Sequence, residues 1–224
     1  MELKPKLSRS HTYKCLLVGD KGTGKTSFLL RHATGKYETK YSPTCGVSVH
    51  TLLFETNYRA VAFQMWDTAG DAEVGGIRNA YFLYGQCALV LFDLSAAATF
   101  ANVASWVERL QEFCGRHIPI VVCGCKADLK RMSEDIDFKQ QENVDYCEFS
   151  TRAAWNLEAP FKLLCTKLFQ LKDVRFLSQP VMGPAKDLLL DGASLQRMWE
   201  EMEAVRAKGL KAKEIESQKL GAFA

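Results

Sequence analysis

Short apolar runs alternate with stretches of helical periodicity from residue 13 to about residue 171. The runs Tyr13–Val18, Val47–Glu55, Ala60–Trp66, Cys87–Asp93, Ile118–Gly124 and Val144–Phe149 predict strands. Most are unbroken apolar segments, as expected when both faces of a strand are covered. The second and third differ, because only Thr56-Asn57-Tyr58-Arg59 separates them, a polar turn that fits an antiparallel hairpin. Between strands, Lys25–Thr34, Gly76–Tyr84, Thr99–Cys114 and Leu157–Lys172 carry the helical pattern. This alternation predicts an α/β fold: a mostly parallel sheet with helices on both faces and ligands at the carboxyl ends of the strands.

The pattern changes after Lys172. Pro180, Gly183 and Pro184 punctuate a linker expected to run extended over the surface. Beyond it, Leu195, Met198, Trp199, Met202 and Val205 recur at helical spacing among glutamates, one apolar stripe on a polar helix. From Arg206 onward, five basic residues outnumber two glutamates. The expected organisation is a flexible N-terminus (1–9), an α/β domain (10–175), a linker (176–190), a C-terminal helix (191–208) and a basic tail (209–224).

Composition narrows the classes. With 47% hydrophobic residues in 224, the chain can build a core, so disorder throughout is excluded. Lysine and arginine total 29 against 26 acidic residues, a net +3 too slight to argue for nucleic acid or a membrane surface. Eight cysteines show no C-x-x-C spacing and sit mostly in apolar runs, so free thiols in a reducing compartment are expected. No signal-like stretch, spanning run or lipidation motif is visible, which predicts a soluble intracellular protein. The histidines at 11, 32, 50 and 117 lack metal-ligand spacing.

The chemistry concentrates at strand ends. Gly19-Asp20-Lys21-Gly22-Thr23-Gly24-Lys25-Thr26 matches G-x-x-x-x-G-K-[ST] between an apolar strand and a helix that continues through Ser27-Phe28-Leu29. Phosphates need backbone N–H donors at a helix N-terminus, and glycines let the chain wrap that closely. Lys25 is expected on the β- and γ-phosphates and Thr26 on Mg²⁺. Asp67, in Trp66-Asp67-Thr68-Ala69-Gly70, suits Mg²⁺, and the Gly70 N–H suits a γ-phosphate. Thr44 offers a second hydroxyl to the metal, although a threonine after proline is also ordinary loop chemistry. At the end of the fifth strand, Asp128 in Cys125-Lys126-Ala127-Asp128 can accept two N–H bonds from a guanine edge, and the Lys126 stem can cover the base. Ser150-Thr151-Arg152 closes the sixth strand and can complete the pocket through a backbone N–H.

Together these residues resemble the small GTPases of the Ras superfamily, and within it the Ran family. The similarity rests on Thr23-Gly24-Lys25-Thr26-Ser27-Phe28, Arg31-His32, Tyr41, Thr44, Gly46-Val47, Trp66 through Gly70, Gly75-Gly76, Cys87-Ala88, Ile118-Pro119-Ile120-Val121 and Pro160-Phe161. It runs from about residue 11 to 205 and includes the C-terminal linker and helix. The resemblance implies a Ras-like G domain, a six-stranded sheet with one antiparallel strand, that binds GTP or GDP with Mg²⁺ and switches between them. It places Asp20, Gly22, Thr23, Gly24, Lys25, Thr26, Ser27, Tyr37, Thr44, Gly70, Cys125, Lys126, Asp128, Ser150, Thr151 and Arg152 around the nucleotide, with Tyr37 against the guanine edge. It assigns Thr26, Thr44 and Asp67 to the metal, and catalytic positions to Asp71, Tyr41 and Gly70. It further implies a role in nucleocytoplasmic transport, importin- and exportin-type receptors, an exchange factor and a GTPase-activating protein as partners, and residence in nucleus and cytoplasm. No direct nucleic-acid contact and no membrane anchor are expected, in a monomer or a hetero-complex.

The departures from that family fall where the chemistry is. Lys21 replaces a glycine, so a side chain crowds the γ-phosphate. Asp71 replaces the water-orienting glutamine; an ionised carboxylate only accepts hydrogen bonds and repels phosphate. Losing one such orienting group costs about 10²–10³ in rate, so slow hydrolysis is expected. Cys125 replaces an asparagine that contacts the base, which predicts weaker affinity. The basic tail replaces an acidic one, and Asp137-Phe138-Lys139-Gln140-Gln141-Glu142 replaces a basic patch.

Overall fold

The computed structural model describes residues 11–38, 43–44, 46–70, 79–131, 142–177, 193–194, 196–204 and 207. Six strands form one sheet: β1 (His11–Gly19), β2 (Val47–Glu55), β3 (Ala60–Thr68), β4 (Cys87–Asp93), β5 (Ile120–Cys125) and β6 (Val144–Glu148), in the order β2-β3-β1-β4-β5-β6. Five strands run parallel, and β2 alone runs antiparallel, paired to β3 through the predicted hairpin. Among the described residues it is flanked by α1 (Lys25–Thr34), α2 (Ala97–Ala101), α3 (Val103–Cys114) and α4 (Ala159–Phe169).

Alternation along β1 divides the interior. Cys15 and Leu17 face one core layer with Phe28 and Leu29 of α1 and Phe161 and Leu164 of α4. Leu16 and Val18 face the other, with Val103, Trp106, Val107 and Leu110 of α3. Burial on both faces is what requires residues 15–18 of β1, and β4 and β5, to be largely apolar runs. The seven cysteines among the described residues form no disulfide, and six are buried as small hydrophobes.

Two helical expectations change. Within the predicted helix Gly76–Tyr84, the described part is one 3₁₀ turn, Asn79–Phe82, because Tyr84 takes a left-handed φ of 61° and ends the run. The predicted helix Thr99–Cys114 divides at Asn102, at φ −86° and ψ −6°, whose side chain reaches out of the helix to Asp20. Residues 1–9, most of the linker and the basic tail lie outside the described residues. Residues 193–194 and 196–204 are helical; Met202 is buried against the α3 layer with Met198 and Trp199 beside it. No helix among the described residues is long and apolar enough to cross a membrane.

Candidate functional site: a cavity at the carboxyl ends of the strands

The ends of β1, β3 and β5 and the loop after β6 surround a cavity of about 510 Å³. Its floor is the loop between β1 and α1. Gly24 takes a left-handed φ of 99° immediately before α1, a turn that glycine makes without strain and that opens the helix N-terminus onto the cavity. The Lys25 ammonium is buried and donates to the carbonyls of Gly19 and Asp20, both at 2.8 Å. Thr23 Oγ1 donates to the Asp20 carbonyl at 2.9 Å, closing the same loop. The Asp20 carboxylate turns away from the cavity. It accepts Asn102 Nδ2 at 2.7 Å and Trp106 Nε1 at 2.8 Å, bracing the loop against α2 and α3. Its contribution to the cradle is its backbone.

Three oxygens converge beside Lys25. Thr26 Oγ1 lies 2.6 Å from Thr44 Oγ1 and donates to Asp67 Oδ2 at 2.6 Å. Burial pushes the Asp67 carboxyl up, against the Thr26 hydrogen bond and the Lys25 charge, which pull it down. Its second oxygen, Oδ1, is buried and has no hydrogen-bond partner among the described residues. Two hydroxyls and a partly unsatisfied carboxylate form a hard oxygen set, which fits Mg²⁺ rather than a thiol-seeking metal. Gly70 completes the wall: a Cβ there would lie 2.5 Å from the Lys21 N and 2.7 Å from Lys25 Nζ. Only glycine allows the chain past β3 to lie so close to the cradle.

The residues expected to read a base meet elsewhere on the wall. Asp128 is held by Ser150 Oγ, which donates to its Oδ1 at 2.5 Å, while the Arg152 guanidinium stands 3.8 Å from its Oδ2. Ser150, fully buried, acts from behind Asp128, whereas Thr151 and Arg152 line the cavity. Lys126 takes a left-handed φ of 59° and donates to Asp93 Oδ2 at 2.7 Å. Burial lifts the Asp93 carboxyl, and hydrogen bonds from Lys126 and Ser95 outweigh it and hold it below the usual range. This fixes the Lys126 stem along the cavity wall, ready to cover a planar ring. Cys125 is buried, its thiol pushed well up by that burial, and donates weakly to the Cys123 carbonyl at 3.5 Å.

Gly22, Thr23, Gly24, Lys25, Thr26, Ser27, Tyr37, Thr44, Gly70, Cys125, Lys126, Asp128, Thr151 and Arg152 all line this one cavity. Tyr41 and Asp71 lie outside the described residues. Sequence reasoning missed Leu30, Lys36, Glu38, Pro43 and Leu129. Leu30 was within reach, since it follows Thr26 by one helical turn and shares its face. Leu129, 41% exposed right after Asp128, supplies apolar wall beside that carboxylate.

Thr26, Thr44 and Asp67 would hold a Mg²⁺, whose positive charge would offset that of a bound phosphate. Lys25 and the loop around it can hold phosphate charge, and the Asp128 carboxylate can accept N–H donors of a base edge. A protein-family model described as the Ras family matches residues 14–170, from β1 through α4. Proteins of that family are GTPase switches that bind guanine nucleotide with Mg²⁺, chemistry for which this cradle, oxygen cluster and pocket are suited. With more than half of its length matched and the Ras-like α/β sheet order in place, the chain belongs to the Ras family of small GTPases.

Proposed function

We propose that the chain is a Ran-like GTP/GDP switch of nucleocytoplasmic transport, working in nucleus and cytoplasm with slow hydrolysis. The observation that carries this reading lies beyond residue 170, where the family match ends. A C-terminal helical segment folds back onto the domain: Met202 is buried, and Trp199 Nε1 donates to the Ala153 carbonyl at 3.1 Å. A docked C-terminal helical segment supports the Ran-like reading. Importin- and exportin-type receptors, an exchange factor and a GTPase-activating protein are the partners of this reading. Slow hydrolysis is supported by Lys21, which lines the cavity beside Gly70 where attacking water must fit. The test is a pull-down with importin β after loading with GTP or GDP. Retention of the GTP form alone supports a transport switch.

A second reading is favoured by the same lysine: a GTP-bound structural or assembly component on the Ran fold, its hydrolysis impaired. Equal importin β retention in both nucleotide states, together with a single-turnover rate far below that of an ordinary Ran, supports this reading over the first.

A further inference from the structure

Lys21 sits inside the cradle, between Asp20 and Gly22, and its exposed side chain lines the cavity. Its position along the cavity is fixed by Gly70. The Cβ that Gly70 lacks would fall 2.5 Å from the Lys21 N and 2.7 Å from Lys25 Nζ. The Lys21 main chain therefore lies at the same end as the Lys25 ammonium, the end suited to the outer phosphates of a nucleotide.

The carboxylate best placed in sequence to neutralise Lys21 is its neighbour, Asp20. That carboxylate is committed elsewhere, held by Asn102 Nδ2 at 2.7 Å and Trp106 Nε1 at 2.8 Å. No ion pair among the described residues includes Lys21. The cradle thus carries a second lysine, whose exposed side chain lines the cavity without an ion-pair partner among the described residues. A cation at this end does not treat all nucleotides alike: it gains more from a triphosphate, whose added charge lies there, than from a diphosphate.

We infer that Lys21 is a ligand for the terminal phosphate, and that it biases this cavity toward nucleoside triphosphates over diphosphates. The inference rests on the nucleotide-binding reading of the cavity and adds a preference to it. A hydrogen-bonded charge pair at an exposed side chain is expected to change the triphosphate-to-diphosphate ratio by about tenfold. Being exposed, it weakens as salt rises and screens it.

The test uses the full chain, stripped of nucleotide and supplied with Mg²⁺. Affinities for GDP and for a slowly hydrolysed γ-thio analogue of GTP are measured by competition in the unaltered chain, Lys21→Gln and Lys21→Arg. The expected result is a ratio about tenfold lower in Lys21→Gln, with the loss mainly on the triphosphate side, and largely kept in Lys21→Arg. The difference should shrink at high ionic strength. An unchanged or increased ratio in Lys21→Gln overturns the inference, as does equal loss of both nucleotides. An unaltered chain that takes up neither nucleotide defeats the binding reading itself, so the two failures are distinguishable.

Discussion

His32 shows how a polar residue at the edge of the aromatic layer sets a pH limit. Its ring meets Phe28 edge-on at 4.6 Å and Phe161 at 5.0 Å. Burial pushes its pKa from 6.5 down to about 4, so the folded chain holds it neutral. Below pH 6.5 the unfolded chain takes up a proton that the folded chain refuses until about pH 4. Stability from this group is therefore complete above that window and falls as pH drops through it, by about 2 kcal/mol at pH 5. Urea unfolding at pH 7.5 and pH 5 should show that loss, and His32→Leu should remove it. An identical loss in both proteins would place the acid sensitivity elsewhere. Cys125 makes a second case. Its thiol reaches only the Cys123 carbonyl of its own strand, so it ties nothing to the cradle. Cys125→Asn should slow guanine-nucleotide release, by roughly tenfold for one added amide bond. A release rate no slower than in the unaltered chain counts against this reading of the pocket.

At the scale of elements, the C-terminal helical segment is joined to the cavity wall at Asp128 by a short relay. Trp199 Nε1 donates to the Ala153 carbonyl, the Ala153 N–H donates to Ser150 Oγ at 2.9 Å, and Ser150 Oγ donates to Asp128 Oδ1. Trp199→Phe keeps the apolar ring and removes the first donor. It should speed nucleotide release two- to tenfold, the worth of one hydrogen bond, and raise hydrogen exchange in residues 196–204. Faster exchange with an unchanged release rate would mean that the helix docks without acting on the pocket. The elements themselves were largely legible in the sequence. Val47–Glu55, Cys87–Asp93 and Lys25–Thr34 are the bounds that periodicity and the phosphate motif predict. Where the pattern misled, one cause was local, the left-handed Tyr84, and the other was a contact distant in sequence. The Asn102 break faces Asp20, 82 residues away, and no local periodicity encodes that.

For the whole molecule, the site was legible because its parts are short and contiguous. The residues from Gly22 to Ser27, Gly70, and the pair Lys126 and Asp128 each end a strand or open a helix, and the topology brings those ends to one cavity. Less legible were the duties of individual side chains. Asp20 sits in the phosphate motif yet spends its carboxylate on Trp106, and Ser150 supports Asp128 rather than forming wall. The division of labour follows from buried polar groups needing partners, which only the folded neighbourhood supplies. The decisive measurement is to denature the purified chain, identify what it releases by chromatography, and follow re-uptake of GDP and GTP with and without Mg²⁺. Release of a guanine nucleotide in near-equal amount to the chain, with re-uptake weakened by chelation, is the expected result. A chain that releases none, and takes up neither nucleotide even in excess Mg²⁺, would contradict it.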